Sequence, residues 1–179
     1  MSIRKITILI VALCLAGATA VAQKMAYVDY EYIMKHIPEY AEAENKLDAL
    51  SKQWQAEVDK QYQEVEQMYQ AYQKDQASLN EDLRRRREDE IVNKEKSVKD
   101  FQREKFGFEG ELFQQREALM KPVQERVNQA IKDVAASEQL DFIMDRRTEA
   151  TLLYANPALD KSNEVISKLG LKPNPSLAN

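Results

Sequence analysis

The sequence predicts an α+β fold that is mostly helical, with a long antiparallel helical-hairpin arm projecting from a small β-sheet body that oligomerises. Residues 39–121 contain no proline and only two glycines, and apolar residues recur there every three or four positions. This pattern is typical of long amphipathic helix. A Ser-x-x-Glu motif at residues 78–81 interrupts the stretch near its middle. Short segments rich in β-branched and aromatic residues, typical of strands, flank it at both ends.

The first 22 residues are predicted to be a signal peptide. Arg4 and Lys5 precede a continuous apolar run at residues 6–18, and residues 20–22 have the small-x-small pattern that signal peptidase requires. The run is shorter than the roughly 20 residues that span a membrane. We therefore expect cleavage near Ala22-Gln23 and a soluble exported chain.

Two alternatives for this leader stay open, an uncleaved anchor and a lipoprotein modified at Cys14. The second is disfavoured because Leu13 stands where a small residue is expected. Cleavage would remove the chain's only cysteine, so packing alone must stabilise the fold. It would also leave 24 basic against 30 acidic residues, a net charge of −6. An acidic chain has no general attraction to nucleic acid or anionic lipid.

Residues 39–117 are predicted to form the arm, with a tip near residues 77–80. Ser78 and Glu81 would form a capping box that starts the return helix. The outgoing helix carries a heptad seam that shifts at a stutter toward the tip. The return helix is poorer in apolar residues until Phe106. We therefore expect little burial and high mobility near the tip, and a kink or tight helix contact at Gly107 and Gly110.

Residues 23–38 and 118–171 are predicted to form the body. Residues 24–29 form a strand, residues 30–37 a short helix, and residues 140–145 and 150–154 a β-hairpin. A final helix at residues 160–169 stops at Gly170, and residues 172–179 form a disordered tail. The late strands are apolar on successive residues, so both sheet faces need burial. The predicted oligomerisation residues are Tyr27, Val28, Phe142, Ile143, Met144, Leu152, Leu153 and Tyr154.

Four segments in this order resemble the Skp/OmpH family of periplasmic chaperones, in a variant typical of Bacteroidetes-type bacteria. They are AYVDYEYI with IPEY at residues 26–40, FGFEGELF at residues 106–113, LMKP at residues 119–122 and YANP at residues 154–157. The resemblance covers the whole mature chain. It implies a periplasmic homotrimer whose three arms enclose a cavity and hold unfolded outer-membrane proteins without ATP.

One departure from the family pattern is electrostatic. The best-known members are strongly basic, whereas this chain is acidic. Contact with lipopolysaccharide or an anionic membrane, which the family would imply, is therefore doubtful here.

The candidate client contacts are three tyrosines and four consecutive arginines in the arm. Tyr62, Tyr69 and Tyr72 either contact clients or form the hairpin seam, and their helical spacing favours the seam. The arginines touch clients, sister chains or lipid, or are a solvated face paired with Glu88 and Glu90, which we favour. These arginines are Arg84, Arg85, Arg86 and Arg87.

No residue pattern indicates an enzyme, a metal or a cofactor. His36 is the only histidine, and Asp29, Asp141 and Asp145 are predicted to be turn or cap residues. The sequence has no Gly-x-x-x-x-Gly-Lys-Ser/Thr loop for nucleotide. Trp54 is expected to be a packing anchor midway along the arm.

A structural role is the alternative to chaperoning. An exported coiled-coil adaptor bridging envelope components would have a rigid arm that docks end-on to one folded partner. The sparse apolar seam at residues 84–98 favours a chaperone, which needs loosely packed arms that bind many clients.

Overall fold

The computed structural model describes residues 23–147 and 154–177. Within them the chain is predominantly helical with one small sheet, which confirms the predicted mostly helical α+β fold. The elements in order are β1 (Met25–Val28), α1 (Tyr30–Lys35), α2 (Pro38–Asp75), α3 (Glu81–Phe106), α4 (Glu111–Glu138), β2 (Phe142–Asp145) and α5 (Ser162–Lys168), with 3₁₀ turns at Pro157–Leu159 and Pro175–Leu177.

The sheet pairs the beginning of the chain with its end. β1 and β2 are parallel, from Met25 opposite Phe142 to Val28 opposite Asp145. Parallel strands need a long crossover connection, and here the entire helical arm supplies it. Tyr27 also bridges to Asp160, so β1 lies between β2 and the segment before α5. The predicted hairpin partner of β2 lies outside the described residues except for Tyr154, which is not in a strand.

Two of the predicted turn or cap residues, Asp29 and Asp141, make hydrogen bonds in the body. The Asp29 carboxylate accepts a hydrogen bond from the Tyr32 amide (2.9 Å) and so caps α1. Asp141 accepts from the Lys24 amide (2.8 Å), which ties β2 to the start of β1. Pro38 opens α2, where its missing amide hydrogen costs nothing.

The core of the body lies between α1, α4 and α5. Its fully buried side chains are Ile33, Ile37, Val127, Val165 and Ile166, with Val28 from β1. Tyr27 is also buried, and Ile143 packs against the core. Val28 and Ile143 therefore serve the subunit's own interior, whereas Tyr27 is paired with Met144 and lies on the other face of the sheet.

The other face of the sheet is apolar and exposed. Phe142 and Met144 alternate with Ile143 along β2 and point away from the core, about half exposed. Other exposed apolar side chains at this end of the body are Met25, Tyr154 and Leu159. Leu152 and Leu153 lie outside the described residues.

Residues 172–177, where the sequence predicts a disordered tail, contact the body. Leu171 and Leu177 pack against the body core, and the Asn174 amide donates a hydrogen bond to His36 Nε2 (2.8 Å). His36 Nδ1 lies 2.8 Å from the Tyr32 carbonyl oxygen. His36 thus has the predicted boundary role. Apolar contacts and a backbone hydrogen bond hold the C-terminal segment on the body, because they offset the conformational entropy that the segment loses when it is ordered.

The hairpin tip is where the sequence predicts it, but its cap is not. α2 ends at Asp75 and α3 begins at Glu81. The helix cap is Asn80, whose side chain accepts from the Leu83 amide (2.9 Å). Ser78 instead donates to the Asp75 carbonyl (2.7 Å) and closes the end of α2. The Ser78–Glu81 capping box is therefore wrong, because Asn80 is the extended residue that precedes the helix.

The return limb consists of two helices. α3 stops at Phe106 and α4 starts at Glu111, so residues 107–110 form a turn where the sequence predicts a kink. α4 then continues through Pro122 without a break. It also crosses the predicted arm–body boundary at residues 117–118, so one helix belongs to both parts.

Candidate functional site

The arm is loosely packed beyond its first third. Between residues 55 and 105 the buried side chains are Val58, Tyr72 and Val98, and every residue from 81 to 90 is exposed. Nearer the body, Ala43 and Leu47 of α2 pack with Met120 of α4 in a second apolar cluster. The slight burial that the sequence predicts near the tip is confirmed.

Trp54 marks the boundary between these two parts of the arm. Its ring meets the Phe106 ring edge-to-face, with centroids 6.3 Å apart. The Lys105 ammonium lies over Trp54, 5.3 Å from the ring centroid, and also contacts Glu111 and Glu104. Hydrogen bonds from Lys105 to Glu111, the larger cause, and to Glu104 raise the pKa of Lys105. The predicted packing role of Trp54 is confirmed.

The three tyrosines divide between the seam and the surface. Tyr72 is buried, donates a hydrogen bond to the Glu88 carboxylate and accepts one from Gln76 Nε2 (3.1 Å). Its bond to Glu88 raises the pKa of Tyr72. Tyr62 and Tyr69 are 38% and 47% exposed. Tyr72 therefore belongs to the hairpin seam, and the other two have ring surface available to a partner.

The four arginines at residues 84–87 are all exposed. Arg85 pairs with Glu81 (2.6 Å) and Arg87 with Glu90 (3.8 Å). The Arg84 guanidinium lies 3.4 Å from the Gln76 carbonyl oxygen. The expected pairing with Glu90 is present, but Glu88 binds Tyr72 instead. The cluster is a solvated helix face in which local ion pairs use part of the charge.

One ion pair joins the two limbs in the distal arm. Lys94 of α3 lies 2.7 Å from Glu64 of α2. This hydrogen bond from Lys94 lowers the pKa of Glu64. Closer to the body, Arg126 of α4 binds Glu39 of α2 through both carboxylate oxygens (2.7 and 3.2 Å). Charged pairs at the surface thus supplement a seam that has few apolar contacts.

The sequence prediction missed the most exposed aromatic residue of the described chain. Phe108 is 98% exposed in the turn between α3 and α4, and Phe113 in the first turn of α4 is 48% exposed. If the helix is assumed to continue past residue 106, Phe108 is one of several apolar residues expected on its buried side. Gly107 and Gly110, which flank Phe108 and Glu109, were the available signal that Phe108 lies in a turn.

The described residues contain no group of three or more His, Cys, Asp or Glu side chains that could hold a metal ion. Over residues 23–147 and 154–177, no helix is long and apolar enough to cross a membrane. The grooves beside α2 and α4 are open and mostly charged at their rims, for example with Glu39, Lys46 and Arg126. The candidate functional residues that the structure describes are therefore exposed side chains on the surface of the arm.

The described chain is thus a small α/β body that carries a long, loosely packed helical-hairpin arm. Comparison with known proteins gives the family. The chain belongs to the OmpH-like outer membrane protein family, whose profile matches residues 24–169. This confirms the family resemblance that the sequence motifs indicate.

A solved structure shares the fold. A Caulobacter crescentus protein described as an OmpH-like outer membrane chaperone is similar with a TM-score of 0.66 and 15% sequence identity. The similarity covers 83% of this chain and 85% of that one. No curated protein matches the sequence significantly. At this level of identity the similarity shows a shared fold.

Proposed function

We propose that this protein is an ATP-independent holding chaperone of the periplasm, which encloses unfolded outer-membrane proteins between helical arms and prevents their aggregation. The observation that carries the proposal is the arm of an OmpH-like chain, in which three side chains are buried between residues 55 and 105. A surface with scattered tyrosines, amides and mixed charges makes many weak contacts. Enclosure raises the effective concentration of those contacts and gives avidity with rapid local exchange.

The clients that fit this surface are unfolded membrane β-barrels. Their strands alternate apolar and polar side chains, and their unpaired edges aggregate. Exposed Tyr62 and Tyr69 offer amphipathic rings to such strands. Release needs no fuel, because folding into the membrane removes the client from the equilibrium.

A homotrimer built through the body would supply the enclosure. The outer face of the sheet, with Phe142 and Met144 about half exposed, is an apolar surface that a sister subunit would cover. Together with Met25, Tyr154 and Leu159, it lies at the end of the molecule opposite the hairpin tip. Three arms would then project in the same direction from one assembled body.

Export through the predicted signal peptide would bring the chain to the periplasm, where these clients pass. The acidic net charge makes lipopolysaccharide or anionic membranes poor partners. The exposed arginines at residues 84–87 are candidates for contact with acidic segments of clients.

The test is to dilute a urea-unfolded outer-membrane barrel into buffer with the purified mature chain and to follow light scattering without ATP. We expect suppression of aggregation near one trimer per client, with the assembly mass measured under native conditions. Unchanged aggregation would count against the proposal. Binding to one folded envelope protein and to no unfolded barrel would favour the adaptor instead.

A further inference from the structure

The turn at residues 107–110 presents Phe108 almost fully to solvent, 98% exposed. We propose that this turn and the start of α4 form a binding site for extended, unfolded polypeptide in which a basic residue neighbours an aromatic or branched apolar one. The inference deepens the proposed chaperone function and rests on it, because it places one client contact on the arm at a stated residue.

The turn is a built structure rather than a loose break between helices. The Gly107 amide donates to the Arg103 carbonyl (2.8 Å), and the Gly110 amide to the Gly107 carbonyl (2.9 Å). A Cβ at Gly107 would lie 2.3 Å from the Arg103 carbonyl oxygen, so the chain can be this tight only with glycine. Glu109 has a φ of 53°, a left-handed conformation that is unfavourable for a residue with a side chain.

Side chains then fix this turn to the arm. Gln114 donates to the Glu109 carbonyl (3.1 Å), which holds the turn to α4. Lys105 contacts Glu111 across the turn and lies against Trp54 of α2. The ends of α3 and α4 are thus joined to each other and to the opposite limb. Phe108 therefore has a defined position, and its exposure does not result from a frayed helix end.

The charge around Phe108 selects the chemistry of the partner. Residues 103–111 carry three carboxylates and two cations, of which Arg103 is paired with Asp100 and Lys105 is only 15% exposed in its ion pairs. Glu104 is well exposed, and Glu109 has no ion-pair partner among the described residues. An aromatic face flanked by carboxylates attracts Arg or Lys, through cation–π contact as well as charge. Neighbouring apolar side chains of the same segment can pack on Phe113.

A second copy of this chain fits the site less well than a peptide does. An aromatic side chain buries about 150–250 Å², so Phe108 and Phe113 together offer far less than the roughly 800 Å² per partner of a stable interface. The turn also lies about 20 Å along α4 from Val123, where the body core begins. The small area suits a weak and rapidly exchanging contact, which is what a holding surface requires.

The test uses the full mature chain and fluorescein-labelled 12-residue peptides with alternating apolar positions. One peptide carries Arg next to Phe, and a second carries Glu in place of Arg. We expect Phe108→Ala to weaken binding of the Arg–Phe peptide about five- to tenfold, and Glu109→Gln to remove most of the preference over the Glu–Phe peptide. The matched control is Val92→Ala, since Val92 is a 61% exposed apolar residue on α3.

Equal affinity of the Phe108→Ala and Val92→Ala variants for the Arg–Phe peptide would overturn the site, as would an absence of peptide binding. A change in native assembly mass in Phe108→Ala would also overturn it, because the occupant would then be a sister subunit. The barrel aggregation assay separates the two proposals. Protection that does not depend on Phe108 leaves the chaperone function and removes this site. Phe108-dependent peptide binding without protection leaves the site and removes the holding function.

Discussion

The body and the distal arm use the same residue types at helical spacing, yet only the body becomes a three-dimensional core. In the body, α1, α4 and α5 surround Ile33, Val127 and Ile166 from three directions. In the distal arm, two helices meet along one line, where Val58 and Val98 are buried and their flanks are open to water. A two-helix seam can bury one stripe per helix at most. Global stability should therefore lie in the body, while the distal arm opens locally.

The strongest test of this difference between body and distal arm is the same substitution made in each region. Val127 in the body and Val98 in the distal arm are both 0% exposed. We expect Val127→Ala to lower the free energy of global unfolding by about 2 kcal/mol, through lost methyl burial and a residual cavity. Val98→Ala should leave the urea transition almost unchanged and accelerate amide hydrogen exchange in α3 alone. Equal losses of global stability would mean that arm and body unfold as one unit.

A second substitution tests the joint between the two parts of the arm. Gly107→Ala places a Cβ where the Arg103 carbonyl already lies, so the turn must shift. Such overpacking costs roughly 1–3 kcal/mol. Trp54 contacts Phe106 and Lys105 beside the turn, so its fluorescence should change.

Phe108→Ala is the matched control for Gly107→Ala, because it alters the same turn at a side chain that is almost fully exposed. It should leave the Trp54 emission as it is. Identical spectra for Gly107→Ala and the wild type would show that the turn is less tightly built than its hydrogen bonds indicate.

Local patterns predicted most of the fold, and most of the errors lie where distant contacts decide. The seam through Leu47, Trp54 and Val58, the start of α2 at Pro38 and the cap at Asp29 all follow from neighbouring residues, so the sequence indicates them. The hairpin turn also follows, although Asn80 and not Ser78 caps the return helix. Several polar residues near a turn can cap, and only the backbone conformation selects one.

The features that were missed depend on partners far away in sequence. Residues 172–177 look like a free tail until His36, 138 positions earlier, accepts from the Asn174 amide. The seam role of Tyr72 was favoured by spacing, but its hydrogen bond to Glu88 depends on the register of two antiparallel helices. For the candidate site, the sequence indicated residue types and the structure determined which of them face water.

A third prediction concerns the edge of the body, where the C-terminal segment is retained by a small number of contacts. His36→Phe keeps an aromatic ring beside Tyr32 and removes the nitrogen that accepts from Asn174. The amides of Asn174, Ser176 and Leu177 should exchange faster, whereas those of α5 should be unaffected and serve as an internal control. If the segment exchanges equally in both proteins, the packing of Leu177 alone holds it.

The smallest expected effect is the response of the distal arm to acid. The hydrogen bond from Lys94 lowers the pKa of Glu64 below its ordinary value of 4.5. A carboxyl group with a lowered pKa in the folded state stabilises that state fully above its unfolded pKa, and the contribution is lost as the pH falls through the folded pKa. Hydrogen exchange in α3, corrected for the intrinsic effect of pH, should therefore show more local opening below about pH 4.5.

Glu64→Gln is the matched control for the acid response, because it removes the charge of the cross-limb pair at every pH. The wild type and this variant should differ above pH 4.5 and converge in acid, whereas high salt should reduce the difference at neutral pH because it screens exposed pairs. A difference that persists in acid would mean that Glu64 acts through packing rather than charge. Glu64 and Lys94 supplement a seam with few apolar contacts, so the effect of even a weak ion pair on hydrogen exchange should be detectable there. Glu39 and Arg126 adjoin the better-packed proximal arm, so loss of their ion pair should change hydrogen exchange less.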